Sequence, residues 1–291
     1  MKYGIALPNF GKYADKDKIL ELASAAEELG YDSLWVSDHV VIPGSHEGFG
    51  DTFYDPFTTL TYIAAATNKI TLGTSVLILP YRNPVVLAKT VATLDTLSRG
   101  RVILGVGAGW LHDEFRALGV DYGERGAITD EYIEIIKTLW TGDSPEFTGK
   151  YFKFSDIKFL PKPEQKPHPP IWVGGGSAKA MERAVSQGDG WHPMGQTPRE
   201  LREKVSYLKG LLDERNRDKS EFTISIRRNL EITDKTGIDE NETLRGSVEK
   251  IARGIEEYMD AGVSHFVFHL LGGDFKRQLR TMEVFSREIM R

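Results

Sequence analysis

A short apolar run, Pro170-Ile171-Trp172-Val173, empties into Gly174-Gly175-Gly176-Ser177, and a helical pattern opens directly behind it from Ala178 to Gln187. Glycines let backbone N–H groups approach an anion closely, and the unpaired first-turn amides with the helix dipole favour negative charge. Two glycines alone would serve equally well as a tight turn; three followed by a serine hydroxyl point to phosphate. No Gly-Lys-Ser/Thr follows, and the spacing is not Gly-x-Gly-x-x-Gly. The phosphate therefore belongs to something other than a nucleoside triphosphate.

Asp38-His39 follows a strand-like run, Ser33 to Val36. A histidine there is a candidate proton donor, because its ordinary pKa of ~6.5 lets it work in either direction; a structural pair for the following loop is the alternative. Gly107 and Gly109, around Ala108, flank another strand end, where a flat cofactor could lie against backbone or the chain could simply turn. Trp110 behind them could wall a substrate pocket. His112 and Glu114 read as a solvated helix face rather than a metal pair. Trp191 fits barrel core or pocket, His192 stands at a strand end before Pro193, and His265 and His269 point to the same side of a last strand. His269, at its C-terminal end, is the better ligand contact. No His-x-x-x-His or carboxylate cluster appears, so no metal is expected.

The elements that must hold these residues alternate. Predicted strands cover Tyr3–Leu7, Ser33–Val36, Ile70–Leu79, Arg101–Val106, Ile171–Val173, Gly190–His192, Phe222–Ile232 and His265–Leu270. Predicted helices cover Lys16–Leu29, Pro56–Thr67, Pro84–Leu97, Glu124–Trp140, Ala178–Gln187, Pro198–Asn216 and Thr243–Ala261. Repeated strand–helix alternation predicts an α/β fold, a (β/α)₈ TIM barrel in a single domain over 1–291, with a doubly wound open sheet as the competitor. Chemistry in such a barrel sits at the strand C-terminal ends. Two stretches exceed the barrel's needs and are expected as lids over its mouth: Val41 to Asp55, and an insertion from Thr141 to Pro169 with a small hairpin at Phe147–Phe152.

Of the 291 residues 40% are hydrophobic, and the net charge of −5 argues against a nucleic-acid partner. The absence of cysteine excludes disulfides, thiolate metal sites and a cysteine nucleophile. No apolar run reaches the roughly 20 residues of a membrane span, and Met1-Lys2-Tyr3-Gly4-Ile5 leads straight into a strand, so a cytoplasmic protein without membrane contact is expected.

Gly30-Tyr31-Asp32-Ser33-Leu34-Trp35-Val36-Ser37-Asp38-His39, Ile70-Thr71-Leu72-Gly73-Thr74-Ser75-Val76, Gly105-Val106-Gly107-Ala108-Gly109-Trp110 and Asp113-Glu114-Phe115-Arg116-Ala117-Leu118-Gly119 resemble the bacterial luciferase-like flavin/F420-dependent oxidoreductases. With the Gly174–Ser177 loop, the resemblance runs in order along essentially the whole chain and is closest to the F420-dependent branch. It implies a hydride transfer between F420 and a small organic substrate. His39 would stand beside the cofactor ring as the catalytic residue, and Asp38 against the hydroxylated part of the cofactor. Thr74-Ser75-Val76, with a non-prolyl cis bond at Ser75-Val76, would lie behind the ring, and Gly107-Ala108-Gly109 and Gly174–Ser177 would complete the cofactor contacts. Trp110, Trp191, His192 and His269 are the expected substrate pocket. The members that oxidise glucose 6-phosphate are similar but carry a glutamate where Trp110 aligns, which argues against a sugar phosphate. The alternatives are an FMNH₂-dependent two-component monooxygenase served by a separate reductase, and a non-catalytic flavin-binding protein. Members of the family commonly pair, so a homodimer is expected through Leu60, Ile63 and Ala64 with Val86, Leu87 and Val91.

Overall fold

In the computed structural model the described residues are 1–44, 46, 50, 52–234, 243–272 and 274–290. The chain runs β1 (Lys2–Ala6), α1 (Lys16–Glu28), β2 (Ser33–Val36), α2 (Pro56–Ala66), β3 (Thr71–Thr74), β4 (Leu77–Ile78), α3 (Pro84–Leu97), β5 (Val102–Gly107), α4 (His112–Ala117) and α5 (Arg125–Thr141). A two-stranded ribbon, β6 (Phe147–Thr148) and β7 (Lys153–Phe154), precedes β8 (Ile171–Gly174), α6 (Ala178–Gln187), β9 (Gly190–His192) and α7 (Pro198–Glu214). The last elements are β10 (Thr223–Ile232), β11 (Thr243–Gly246), α8 (Val248–Asp260), β12 (His265–Leu270) and α9 (Phe275–Glu288). Strands pair in parallel in the order β1-β2-β3-β5-β8-β9-β10-β12, and β12 returns to β1 with Lys2 opposite His265. The sheet is closed, so the TIM barrel holds and the open sheet does not.

Local chemistry explains the rhythm. Asp55, Asn83 and Thr197 each cap a helix with a side-chain oxygen and are followed by proline, whose missing N–H costs nothing in the first turn. Thr197 and Glu200 form a reciprocal capping box. Alternation along each strand then divides two cores. Outward residues such as Ile5, Leu34, Leu72 and Leu104 join the layer beneath the helices, while Ala6, Trp35, Trp172 and Val267 fill the barrel. Trp35 is fully buried and stacks on Trp172 at 5.2 Å. Its bulk needs glycine on β3, because a Cβ at Gly73 would come within 2.4 Å of the indole.

Three expectations change. The run Ile70–Leu79 is two strands, interrupted at Ser75-Val76, whose peptide is cis as the resemblance implied. Thr243–Gly246 is a strand beside β10 rather than the start of a helix, and Ser247 caps α8 behind Gly246, whose φ is +144°. The insertion does form the hairpin, but it does not roof the mouth. Glu131 of α5 accepts from the amides of Lys150, Tyr151 and Phe152, and Gln165 bonds Asp95 at the end of α3 and the Val102 carbonyl at the start of β5. It sheathes α3 and α5, as a segment joining a helix C-terminus to a strand N-terminus must. The other expected lid does reach the mouth, where Phe53 stacks on Phe10 at 5.0 Å. Residues 45, 47–49 and 51 of that segment lie outside the described residues. Among the described residues no helix is long and apolar enough to cross a membrane.

The patch expected to pair two copies is also different. Leu60, Ile63, Leu87 and Val91 are buried within the single chain, in the layer between helices and barrel. Of the six, only Ala64 (half-buried) and Val86 (exposed) keep surface, next to exposed Tyr62.

Candidate active site

The C-terminal end of β2 presents Ser37, Asp38 and His39. Asn9, fully buried after β1, fixes this end: its side chain accepts from the Ser37 amide at 3.0 Å and donates to the Ser37 carbonyl at 2.8 Å. Asp38 was expected against a cofactor. Instead its carboxylate is inaccessible, receives Arg82 in a fork at 2.6 and 2.8 Å, and accepts from the Ile78 amide at 2.9 Å. Burial pushes its pKa up, against the opposing pull of Arg82. Asp38 is thus a clamp that ties β2 to β4 and the start of α3.

His39 turns the other way. Its Nδ1 lies 2.6 Å from the Glu114 carboxylate, and Glu114 is fully buried. Glu114 also accepts from the amides of Val40 and Val41 at 2.6 and 3.2 Å and from the Tyr81 hydroxyl at 3.0 Å. Burial alone would raise Glu114, but the His39 hydrogen bond and the two amides outweigh it and hold the carboxylate below its ordinary pKa. An ionised carboxylate only accepts, so His39 donates through Nδ1 and any proton it exchanges with a ligand moves at Nε2. Sequence reasoning read Glu114 as a solvated helix face. Its neighbours His112, Asp113 and Arg116 are indeed exposed, but Glu114 lies on the inner side of α4. The identity of its partner, 75 residues away, left no signal in the local spacing.

The glycine loop stands where expected, at the end of β8 and the start of α6. Gly175 has φ +100°, and Gly175, Ser177, Ala178 and Lys179 are exposed. Ser177 caps α6 by accepting from the Ala180 amide, so its oxygen serves the helix and the preceding amides serve any anion. Two groups that the sequence left unremarked complete this corner. A Cβ on Gly176 would lie 2.3 Å from the Gln196 amide nitrogen and 3.0 Å from the Lys204 ammonium. Donors and positive charge therefore converge there.

The wall between this loop and β5 is formed by Val76. A Cβ at Gly107 would meet its methyl at 2.8 Å, and one at Gly174 would meet the other at 2.9 Å. Those glycines make room for Val76, and Gly109, with φ +80°, lies against Ile78 and Phe115. A flat ligand at Gly107-Ala108-Gly109 would thus meet backbone edge and valine methyls. Thr74 turns away from the mouth and donates to the Gly105 carbonyl at 2.7 Å.

Of the four expected pocket residues, Trp110 is half exposed with its ring 6.2 Å from His39. His269 lies in the mouth, stacked on Phe10 at 6.0 Å. Trp191 does not face a ligand: it is fully buried in the outer layer and its indole N–H donates to the Gly175 carbonyl at 2.8 Å, bracing the glycine loop. His192 points inward but forms the floor, sandwiched between Ser75 and Ser225 and stacked on Trp35 at 5.2 Å. Burial first, then Arg227, lowers its pKa to about 3. The opposite end of the barrel holds a cavity of about 650 Å³ lined by Lys2, Asp32, Trp172 and His265. Chemistry in this fold sits at the other face.

The chain matches the Luciferase-like monooxygenase family over residues 1–237 and belongs to it. It is 30% identical to an F420-dependent glucose-6-phosphate dehydrogenase of Amycolatopsis mediterranei, over 94% of this chain and 93% of that protein. Among solved structures, the monooxygenase RslO1 of Streptomyces bottropensis superimposes with a TM-score of 0.87 at 23% identity, covering 100% of this chain and 99% of the other. An F420-dependent secondary alcohol dehydrogenase in complex with an F420-acetone adduct does so with a TM-score of 0.86 at 22% identity, over 99% and 98%. These two likenesses show the fold.

Proposed function

We propose that this protein is an F420-dependent oxidoreductase that moves a hydride between the deazaflavin and a small, partly apolar organic substrate. The observation that carries this reading is the His39–Glu114 pair at the strand C-terminal ends. A hydride leaving or reaching carbon bound to oxygen needs a proton partner, and a histidine locked in one tautomer by a buried carboxylate is built for that task. The bound deazaflavin supplies the hydride acceptor or donor.

The residues present fit such a cofactor. The amides of Gly175–Lys179, with Gln196 and Lys204, would hold its phosphate. Val76 and the backbone at Gly107 and Gly174 would back its ring. Phe10, Phe53 and Trp110 would exclude water around His39. The relative's F420-dependent activity supports the choice of cofactor. Its sugar-phosphate substrate is not carried over, because Trp110 stands where a glutamate is expected for that reaction.

Parallel titration of purified protein with F420 and FMN tests the proposal, with Gly175→Val as the internal control. F420 should bind more tightly, and the variant should lose at least about tenfold in affinity, since a β-branched residue does not adopt φ +100° without displacing the loop. Circular dichroism should show the fold retained. Tighter binding of FMN, with FMNH₂-dependent oxygen consumption, would make the protein a monooxygenase. Unchanged affinity in Gly175→Val would remove the phosphate assignment.

A further inference from the structure

β10 turns Ser225 inward to His192 and, two residues further on, Arg227. Arg227 is 9% exposed and reaches across the mouth, where Nη1 donates to the Ser37 hydroxyl and to the Ser75 carbonyl, both at 2.8 Å. Among the described residues no carboxylate forms an ion pair with it, in contrast to Arg82, Arg183 and Arg245, which each have one. Nε and Nη2 of Arg227 make no hydrogen bond among the described residues. A buried charge without a counter-ion is costly, and buried charges are ordinarily paired. Burial draws Arg227 down to about 10, still charged at neutral pH.

A second, independent group is left waiting beside it. His269 follows two residues further along the neighbouring strand, since Arg227 is in register with Val267. Its Nδ1 is buried without a hydrogen-bond partner. Burial and the nearby Arg227 lower the imidazole to about 4, so the ring is neutral and can donate through one nitrogen. A guanidinium with an unused edge and an imidazole N–H on the same wall match a carboxylate, which accepts from several donors at once. The apolar body of such a molecule would meet Phe10, stacked on His269, and Phe53. This wall, built by β10, β12 and β1, lies across the mouth from the β5–β8 wall that carries Val76 and the glycine loop.

We propose that Arg227 and His269 form a carboxylate subsite, and that the organic substrate is a small carboxylic acid with an apolar body seated against Phe10 and Phe53. The proposal rests on the functional reading above for the word substrate, but the subsite itself can be tested without any cofactor. Benzoate and benzamide, equal in shape and different in charge, are titrated calorimetrically into the protein alone and into protein saturated with F420. Benzoate should bind at least about tenfold more tightly than benzamide, as expected for charge-assisted hydrogen bonds. That preference should vanish in Arg227→Met, persist in part in Arg227→Lys, and weaken in His269→Asn. It should survive F420 saturation. Equal binding of the two probes to the native protein would overturn the proposal, as would an undiminished preference in folded Arg227→Met. If that variant fails to fold, an undiminished preference in His269→Asn has the same force. Displacement of benzoate by F420 would assign the anion site to the cofactor and overturn the substrate assignment. Failure of F420 to bind at all leaves the benzoate preference readable, so the two readings fail separately.

Discussion

At the residue scale the site turns on a single pairing. His39 alone is one histidine among seven. What separates it is Glu114, which spends one oxygen on Nδ1 and the other on two backbone amides, so that neither ring nor carboxylate can rotate. His39→Ala should therefore reduce turnover by about 10²-fold, the scale of general acid–base catalysis. Glu114→Gln should cost about tenfold or more by loosening the ring, as loss of an orienting partner does. Cofactor affinity should change much less in both. Steady-state rates of F420 oxidation or reduction, set against F420 titrations, check this. A near-normal rate in His39→Ala would leave His39 as a packing residue.

At the element scale α2 and α3 have two jobs. Their inner faces, with Leu60, Ile63, Leu87 and Val91, close the barrel's outer layer. Their outer faces leave a groove of about 780 Å³ lined by Thr61, Tyr62, Val86 and Thr90. Val86 is 63% exposed and Tyr62 44% exposed on these outer faces. We propose that a second copy of this chain covers this face, each subunit offering the same patch about a two-fold axis and burying more than ~1,000 Å². Light scattering at micromolar concentration should give a mass near twice the 32.7 kDa of one chain. Val86→Asp should shift it toward one chain. A native mass near 32.7 kDa would refute the dimer.

At the scale of the whole molecule the barrel interior is a pH sensor of its own integrity. Burial lowers His192 and His265 to about 3 and His269 to about 4. An unfolded histidine titrates near ~6.5, so between about pH 6.5 and 4 the unfolded chain holds protons that the folded chain refuses. Stability therefore falls as pH drops through that window, by up to about 1.4 kcal/mol per pH unit for each histidine. The urea midpoint should decline steadily from pH 7 to 4.5, and His265→Asn, which removes one of the three, should flatten the slope. A midpoint constant over that range would mean that these rings are protonated inside the fold.

Much was decided by the chain itself. Strand–helix alternation was enough for the barrel, because it depends on neighbours within one helical turn or one strand. Gly174–Ser177 was legible for the same reason: strand, glycines and helix start are contiguous. The resemblance to the luciferase-like family placed His39, and the Ser75-Val76 cis bond, from linear motifs. Closure of the sheet decided the rest. It brought Glu114 to His39, Arg82 to Asp38 and Lys204 to Gly176, and it sent Trp191 outward while His192 turned in. It also buried Arg227 in the mouth, where no carboxylate among the described residues pairs with it. Partners of buried polar groups are chosen by proximity across the barrel, over separations of 28 to 190 residues, and local spacing carries no record of that choice.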